Sequence, residues 1–346
     1  MKIYILSILL ISSTVFSFGQ DTGFKSILAK SKSGITDTNI TIHSLDNKSV
    51  QIPITIMKGR IKGPTFTIIA GIHGMEYSPI LSLLGLRKQI DPAFLKGQLI
   101  IIPIVNQMAF YGRTPFVNPL DNVNLNRAFP GNIKGTITQT MAAFLTDEVF
   151  TSTDVLLDMH GGDVNEDLIP FVCYYDNKQY INQTAVASRL SEVSGFDTIV
   201  KYPFILEKDQ PAMYAFKQAV RQGITALSIE VGGLGKWKKA EISLAQKAIF
   251  RMMAELKMYG PKLRQYLAGA KARYINQSYV SVPVKGIFIS ELNAGDLIVK
   301  GAEIGYIMDV FGNKKITVYA PVSGIILYMI GTPPVNKGET LICIGF

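Results

Sequence analysis

The stretch Thr65-Phe66-Thr67-Ile68-Ile69-Ala70-Gly71-Ile72-His73-Gly74-Met75-Glu76 runs from β-branched and aromatic residues into a histidine set between glycines, with an acid three residues later. An apolar run that stops at a glycine is how a buried strand ends in an open loop. Residues 76–90 then show helical spacing at Ile80, Leu83 and Leu84, and Pro79 is tolerable because it falls in the first turn. Strand, loop and helix in this order put His73 at a strand end and Glu76 at a helix start, where both side chains reach one point. Far downstream, Asp158-Met159-His160-Gly161-Gly162 repeats the strand-end pattern. The chain has only three histidines in 346 residues, and two of them occupy these settings. The third, His43, lies in an alternating segment with no glycine or acid beside it and is assigned no role.

Two imidazoles and one carboxylate form a ligand set that suits catalytic zinc, with a fourth position left to water. His73, Glu76 and His160 are therefore the candidate metal ligands, and one zinc ion per chain is the candidate cofactor. The alternative makes His73 a buried histidine bonded to backbone and Glu76 an acid favoured by the positive end of its helix. Asp158 projects on the same side of its strand as His160. It either accepts a hydrogen bond from the ligand ring, fixing its tautomer, or caps a turn.

Glu230 closes Thr225-Ala226-Leu227-Ser228-Ile229-Glu230 just before Val231-Gly232-Gly233. Strand ends on one edge of such a sheet are where ligands bind, so Glu230 is a candidate general base that takes a proton from a metal-activated water as it attacks a carbonyl. The alternative is a solvated acid at a strand end. The loop over residues 106–131 carries Arg113 and then Asn124-Leu125-Asn126-Arg127. A planar guanidinium can grip a carboxylate with two parallel bonds, a neighbouring amide adds a third, and an arginine aimed at a developing oxyanion stabilises it. Without the metal motif these loop residues read as surface charge.

Strands expected at 41–57 (a pair), 65–71, 98–105, 154–159, 169–174 and 225–231 alternate with helices at 76–90, 138–150, 185–193, 212–222 and 239–259, with a long polar loop over 106–135. This alternation predicts an α/β fold, a largely parallel or mixed sheet covered by helices on both faces. From about residue 272 the helices give way to short strands separated by glycines, with an internal echo. Val299-Lys300-Gly301 leads to Ile304 and Ile307 as Asn336-Lys337-Gly338 leads to Leu341 and Ile344, the pattern of a small all-β module. The expected division is a signal peptide over 1–19, a hydrolase domain over 20–271 and a β domain over 272–346.

Residues 1–19 have the form of an export signal: Lys2, a mostly apolar core, and Ser17-Phe18-Gly19 before a cleavage point at Gln20. The apolar core is shorter than the ~20 residues of a membrane span, and no later run is long and uncharged enough to cross a bilayer. The mature chain is thus expected in the periplasm or outside the cell, with no stable membrane span. The formal charge of +9 over the full 346 residues comes from scattered lysines and arginines rather than a basic run interleaved with aromatics, so nucleic acid is not an expected partner. Cys173 and Cys343 are the only cysteines and lie far apart, which suits small core residues better than a disulfide framework.

Together, His73-Gly74-Met75-Glu76, Asn126-Arg127, Asp158-Met159-His160-Gly161-Gly162 and Ile229-Glu230-Val231-Gly232-Gly233, in this order, resemble the succinylglutamate desuccinylase/aspartoacylase family of zinc hydrolases, relatives of the zinc carboxypeptidases. The resemblance covers roughly residues 40–346. It implies a zinc-carboxypeptidase-like mixed sheet flanked by helices and a C-terminal barrel-like hybrid β domain. It further implies that His73, Glu76 and His160 bind zinc, that Glu230 is the general base and acid, that Asn126 and Arg127 bind a substrate carboxylate, and that Arg113 polarises the scissile carbonyl. Residues 116–121 lengthen the loop between Arg113 and the Asn126-Arg127 pair relative to that family. The implied function is an exported zinc amidohydrolase acting on an N-acyl amino acid or a similar small-molecule amide that bears a carboxylate. Two alternatives stand beside it: a zinc carboxypeptidase acting on short or cell-wall peptides, and a non-catalytic secreted binding protein.

Overall fold

The three strands that carry the metal-motif residues lie side by side. Ile61–Ala70 pairs in parallel with Val155–His160, which pairs in parallel with Thr225–Glu230, with Ala70 opposite Met159 and His160 opposite Glu230. All six residues of Val155–His160 are buried, as expected of a strand covered on both faces. Because alternate side chains point to opposite faces, Val155, Leu157 and Met159 pack into one hydrophobic cluster while Leu156 enters the other. Asp158 and His160 share the second face, and so do Ser228 and Glu230 with Ala226.

These strands form the middle of a nine-stranded sheet in the order Gly34–His43, Ser49–Lys58, Lys96–Ile102, Ile61–Ala70, Val155–His160, Thr225–Glu230, Phe171–Asp176, Thr198–Pro203 and Ala272–Tyr274. The sheet is mixed: the first strands form an antiparallel hairpin, and Phe171–Asp176 runs antiparallel to Thr225–Glu230. Helices Tyr77–Leu86, Ile181–Ser194 and Lys239–Glu255 bury residues in one cluster, and Phe24–Lys30, Ile137–Phe144 and Ala215–Arg221 bury residues in the other. The α/β class and helix-flanked mixed sheet expected from the sequence are what this computed structural model has. It describes residues 23–207, 209–260 and 271–346, so the export signal expected over 1–19 lies outside the described residues. No helix among the described residues is long and apolar enough to cross a membrane.

The C-terminal strands make two small sheets around their own core. One runs Gln277–Ser281, Thr340–Gly345, Gly324–Ile330, Leu297–Ile298, and the other runs Lys314–Tyr319, Glu303–Met308, Gly286–Ile289, Pro334–Val335. The internal echo has a physical counterpart: Ile304, Ile307, Leu341 and Ile344 are all buried in this core, each following a turn glycine at positive φ. Two details differ from expectation. Ala272–Tyr274, assigned to the start of the β module, instead joins the main sheet beside Thr198–Pro203, with Thr198 opposite Ala272. Conversely, Glu166–Leu168 from the hydrolase part pairs with Gly324–Ile330 of the module, so the two parts interlock.

The polar loop after Lys96–Ile102 is also more ordered than its sequence suggested. It contains helix Gln107–Gly112, capped by the Asn106 side chain on the Ala109 N–H, a two-residue hairpin of Val117–Asn118 with Val123–Asn124, and a tight turn at Leu125–Arg127. Gly74 lets this loop lie against the metal motif. A Cβ there would sit 2.3 Å from the Ala109 carbonyl, closer than any side chain tolerates.

Candidate metal centre and its cavity

His73, Glu76 and His160 converge. Their ligand atoms lie within 4.8 Å of one another, and all three residues are buried. The Glu76 carboxylate meets both rings, with His73 Nδ1 2.5 Å from Oε1 and His160 Nδ1 3.0 Å from Oε2. Each imidazole thus turns Nδ1 inward, and the opposite nitrogens meet other residues. His73 Nε2 lies 3.3 Å from Asn124 Oδ1, and His160 Nε2 lies 3.2 Å from Asp158 Oδ1. Asp158 is wholly buried, and among the described residues its only charged neighbour at contact distance is that ring, an approach whose alignment falls short of a good hydrogen bond. Of the two roles open to Asp158, the position beside the ring is the one the structure shows.

Burial alone would raise the pKa of Glu76, but the two histidines outweigh it and hold the carboxyl down at about 2. Desolvation likewise opposes a charge on His160, yet the Asp158 and Glu76 carboxylates prevail and hold its pKa well above the ordinary value. A buried carboxylate flanked by two inward-facing imidazole nitrogens fits a divalent cation, since hard and borderline metals take this donor set. Polar atoms behind the rings fit the same purpose, because ligating histidines ordinarily use their second nitrogen to fix ring orientation.

The centre opens into a cavity of about 500 Å³. Glu230 lines it and has no hydrogen-bond or ion-pair partner among the described residues. Burial pushes its carboxyl up to about 8, opposed by His160 and reinforced by Glu76 and Asp158. Asn126 and Arg127 line the cavity too. Asn126 Oδ1 accepts the Ala215 N–H at 3.0 Å, which leaves its NH2 as a donor. The Arg127 guanidinium stacks 4.6 Å over the Tyr214 ring and donates to the Asn126 carbonyl at 2.7 Å. Arg113 is elsewhere: it is exposed, ends helix Gln107–Gly112 in a left-handed conformation, and is not among the residues that line the cavity.

Sequence reasoning missed five contributors. Asn124 backs His73, yet nothing in a run of loop residues marks it. Glu166 also lines the cavity, and burial first, then the Glu230 and Asp163 carboxylates, push its pKa well above the usual range. Tyr279 and Tyr328 reach the wall from the C-terminal module, joined there by Thr340, and no local pattern could have placed them beside metal-motif residues more than a hundred positions away. The paired glycines after His160 and Glu230 allow the two loops to interlock: a Cβ on Gly162 would meet the Glu166 carbonyl oxygen at 2.2 Å and Gly233 Cα at 2.9 Å.

Comparison with known proteins agrees with this arrangement. Residues 62–256 match the model of the succinylglutamate desuccinylase/aspartoacylase catalytic domain. That span is more than half of the chain and takes in every residue of the metal centre, so the chain belongs to the succinylglutamate desuccinylase/aspartoacylase family. A curated relative, the N-alpha-acetyl-L-2,4-diaminobutyric acid deacetylase of Halomonas elongata, is 27% identical over 305 residues, 86% of each chain. Among solved structures, a succinylglutamate desuccinylase/aspartoacylase from Rhodobacter sphaeroides superposes with a TM-score of 0.80 at 22% identity, covering 91% of this chain and 96% of that one. The product-bound ectoine utilization protein EutE (DoeB) from Ruegeria pomeroyi gives the same TM-score and identity, covering 91% of this chain and 95% of its own. These two share the fold, C-terminal β module included.

Proposed function

We propose that this chain is an exported zinc-dependent amidohydrolase that cleaves the amide bond of an N-acyl amino acid or a similar small amide bearing a carboxylate. The observation that carries the reading is the meeting, in one cavity, of a buried His73-Glu76-His160 donor set with the unpartnered carboxylate of Glu230. The deacetylase name of the curated relative supports amide cleavage, and the form of residues 1–19 supports export.

His73, Glu76 and His160 would hold the zinc. When bound, zinc supplies Lewis acidity, making a water nucleophilic near neutral pH and polarising a carbonyl oxygen. Glu230 moves the proton: its carboxylate accepts one from the attacking water and returns it to the leaving amine nitrogen. Arg127, flattened on Tyr214, presents a planar fork for the substrate carboxylate, and the Asn126 NH2 adds a donor beside it. Arg113 is left out of this proposal because its exposed side chain does not line the cavity. A wall completed by Tyr279, Tyr328 and Thr340 of the β module bounds the space to about 500 Å³, which favours a small substrate over an extended peptide.

The test is hydrolysis of a panel of N-acyl amino acids by purified zinc-loaded protein, with and without chelator, alongside Glu230→Gln. We expect chelator-sensitive amide cleavage and a fall in kcat of about 10³-fold in the variant, with its zinc content intact. A folded, zinc-loaded protein that cleaves no member of the panel, or a fully active Glu230→Gln, overturns the reading.

A further inference from the structure

The end of the main sheet opposite the metal centre carries a concentration of positive charge that the proposed hydrolysis does not use. Separate stretches of sequence meet there. Lys58-Gly59-Arg60-Ile61-Lys62 turns between the strands Ser49–Lys58 and Ile61–Ala70, and Ile61 lies opposite Lys96 at the start of Lys96–Ile102. The Gly59 N–H donates to the Gly97 carbonyl at 2.9 Å, an approach only glycine permits, because a Cβ on Gly59 would overlap the Leu95 carbonyl oxygen. The Lys58 ammonium donates to the Ser31 carbonyl at 3.1 Å and so draws the segment with Lys32 to the same place. The Lys96 N–H donates to the Met258 carbonyl at 2.8 Å, which brings in Lys257.

Lys32, Lys58, Arg60, Lys62, Lys96 and Lys257 are thus gathered from residues 30–34, 58–64, 94–98 and 257–259, stretches that contain no acid. Among the described residues, the side chains of Lys32, Arg60, Lys62, Lys96 and Lys257 have no hydrogen-bond or ion-pair partner. The flanking acids Asp91 and Asp154 are turned to the backbone N–H groups of Ala93 and Thr65, at 2.9 and 2.7 Å. Two large apolar side chains stand exposed among these charges, Ile61 at 59% and Phe94 at 71%.

That combination decides what the face can meet. A face of unpaired cations repels a second copy of itself set against it by a two-fold axis, and a soluble polyanion makes no use of an exposed isoleucine and phenylalanine. An anionic lipid surface uses both features: lysine and arginine meet the phosphate headgroups, and the apolar side chains enter the boundary between headgroups and acyl chains. Ile61 and Ala70 are the two ends of one ten-residue strand, so this face lies roughly 30 Å from the end of the sheet where His73, His160 and Glu230 gather. A bilayer against it leaves the metal centre facing away.

We propose that this end of the sheet, presenting Ile61 and Phe94 amid Lys32, Arg60, Lys62 and Lys96, docks the protein peripherally on a bilayer rich in anionic phospholipid. The proposal stands independently of the hydrolase reading.

The test is co-sedimentation of the zinc-loaded chain with vesicles of phosphatidylcholine alone and with vesicles of an equimolar mixture of phosphatidylcholine and phosphatidylglycerol. The protein used lacks residues 1–19, which precede every described residue, so that their apolar core cannot anchor it. The wild type should bind the mixed vesicles and stay in solution with the neutral ones. Combined Arg60→Gln, Lys62→Gln and Lys96→Gln should weaken binding to the mixed vesicles about a hundredfold, since each cation near an anionic surface contributes about fivefold. Combined Ile61→Ser and Phe94→Ser should weaken it about tenfold or more. Added salt should weaken the wild type more than the charge variant. Circular dichroism establishes that each variant is folded, and the single substitutions Lys62→Gln and Phe94→Ser replace a combined variant that is not.

A wild type that binds neither kind of vesicle, or a charge variant that binds the mixed vesicles as the wild type does, overturns the proposal. An apolar variant that binds them undiminished also overturns it, because the face then serves any polyanion. Sedimentation velocity without vesicles covers the remaining occupant: a wild-type dimer that either variant dissociates assigns the face to a second copy and overturns docking on lipid.

Discussion

Replacing Asp158 by leucine should weaken metal binding between tenfold and a hundredfold. The size follows from where Asp158 sits. Its side chain is wholly buried and, within contact distance, meets the Nε2 edge of His160 at 3.2 Å. The approach is not aligned as a good hydrogen bond, so what the carboxylate supplies is negative charge beside the ring edge; an apolar replacement removes it, and taking away the partner of a buried polar group costs about 1–3 kcal/mol. That penalty is felt when the ring is held with Nδ1 inward, the orientation metal binding requires. It corresponds to the ten- to hundredfold loss usual when the partner behind a ligating histidine is removed. Asp158→Asn keeps an acceptor of the same shape and should lose less. Asn124→Ala, which removes the longer 3.3 Å contact to His73 at a half-buried position where water can substitute, should lose less than about tenfold. Competition against a chromophoric chelator, read by absorbance on folded protein, gives the ratio directly. If Asp158→Leu takes up zinc as tightly as the wild type, the carboxylate does not orient His160, and the reasoning about the rings' outer nitrogens is wrong.

Three further outcomes follow from the same geometry. Arg127→Lys should raise KM for an N-acyl amino acid about tenfold or more with a smaller change in kcat, because an ammonium loses both the fork and the flat face stacked on Tyr214; an unchanged KM in steady-state kinetics contradicts this. Gly162→Ala should lower the thermal midpoint, at a cost of about 1–3 kcal/mol, since the added Cβ collides with the Glu166 carbonyl at 2.2 Å; a melt that does not move contradicts the interlocked loops. In chelator-stripped protein, Glu230 has a folded pKa near 8, above the ordinary carboxylate value, so the native state binds the extra proton and stability contributed by Glu230 falls as pH rises from about 4.5 to 8. Thermal melts of the stripped protein between these limits should decline less for Glu230→Gln than for the wild type, and identical slopes rule out a burial-raised Glu230.

The parts of the site that were legible in the sequence are those attached to the sheet. His73, His160 and Glu230 each end an apolar run followed by glycine, and because parallel strands all finish at the same edge, such residues are brought together by topology without any knowledge of the loops. Asp158 was legible for the same reason, through the two-residue period of a strand. The loop over 106–135 has no such period. Its path depends on the Asn106 cap, the small hairpin and the close approach at Gly74, so the sequence did not show that Arg127 faces the cavity while Arg113 faces solvent. Glu166 and Thr198–Pro203 were illegible for a different reason. Glu166–Leu168 is a strand only because it pairs with Gly324–Ile330, more than a hundred and fifty residues downstream, and Thr198–Pro203 is short and changes from buried to exposed along its length. The boundary set before Ala272 fell one strand early, because three residues next to a segment outside the described residues carry no mark of which sheet they join.

The central claim is that one divalent cation is held by His73, Glu76 and His160, and elemental analysis of the purified chain tests it most directly. We expect about one zinc per chain, and a loss of most of it in a folded His160→Ala variant, since a site of three protein ligands is reduced to two. A wild-type protein that takes up no metal from zinc-containing buffer, or a His160→Ala variant that retains a full equivalent, contradicts the account.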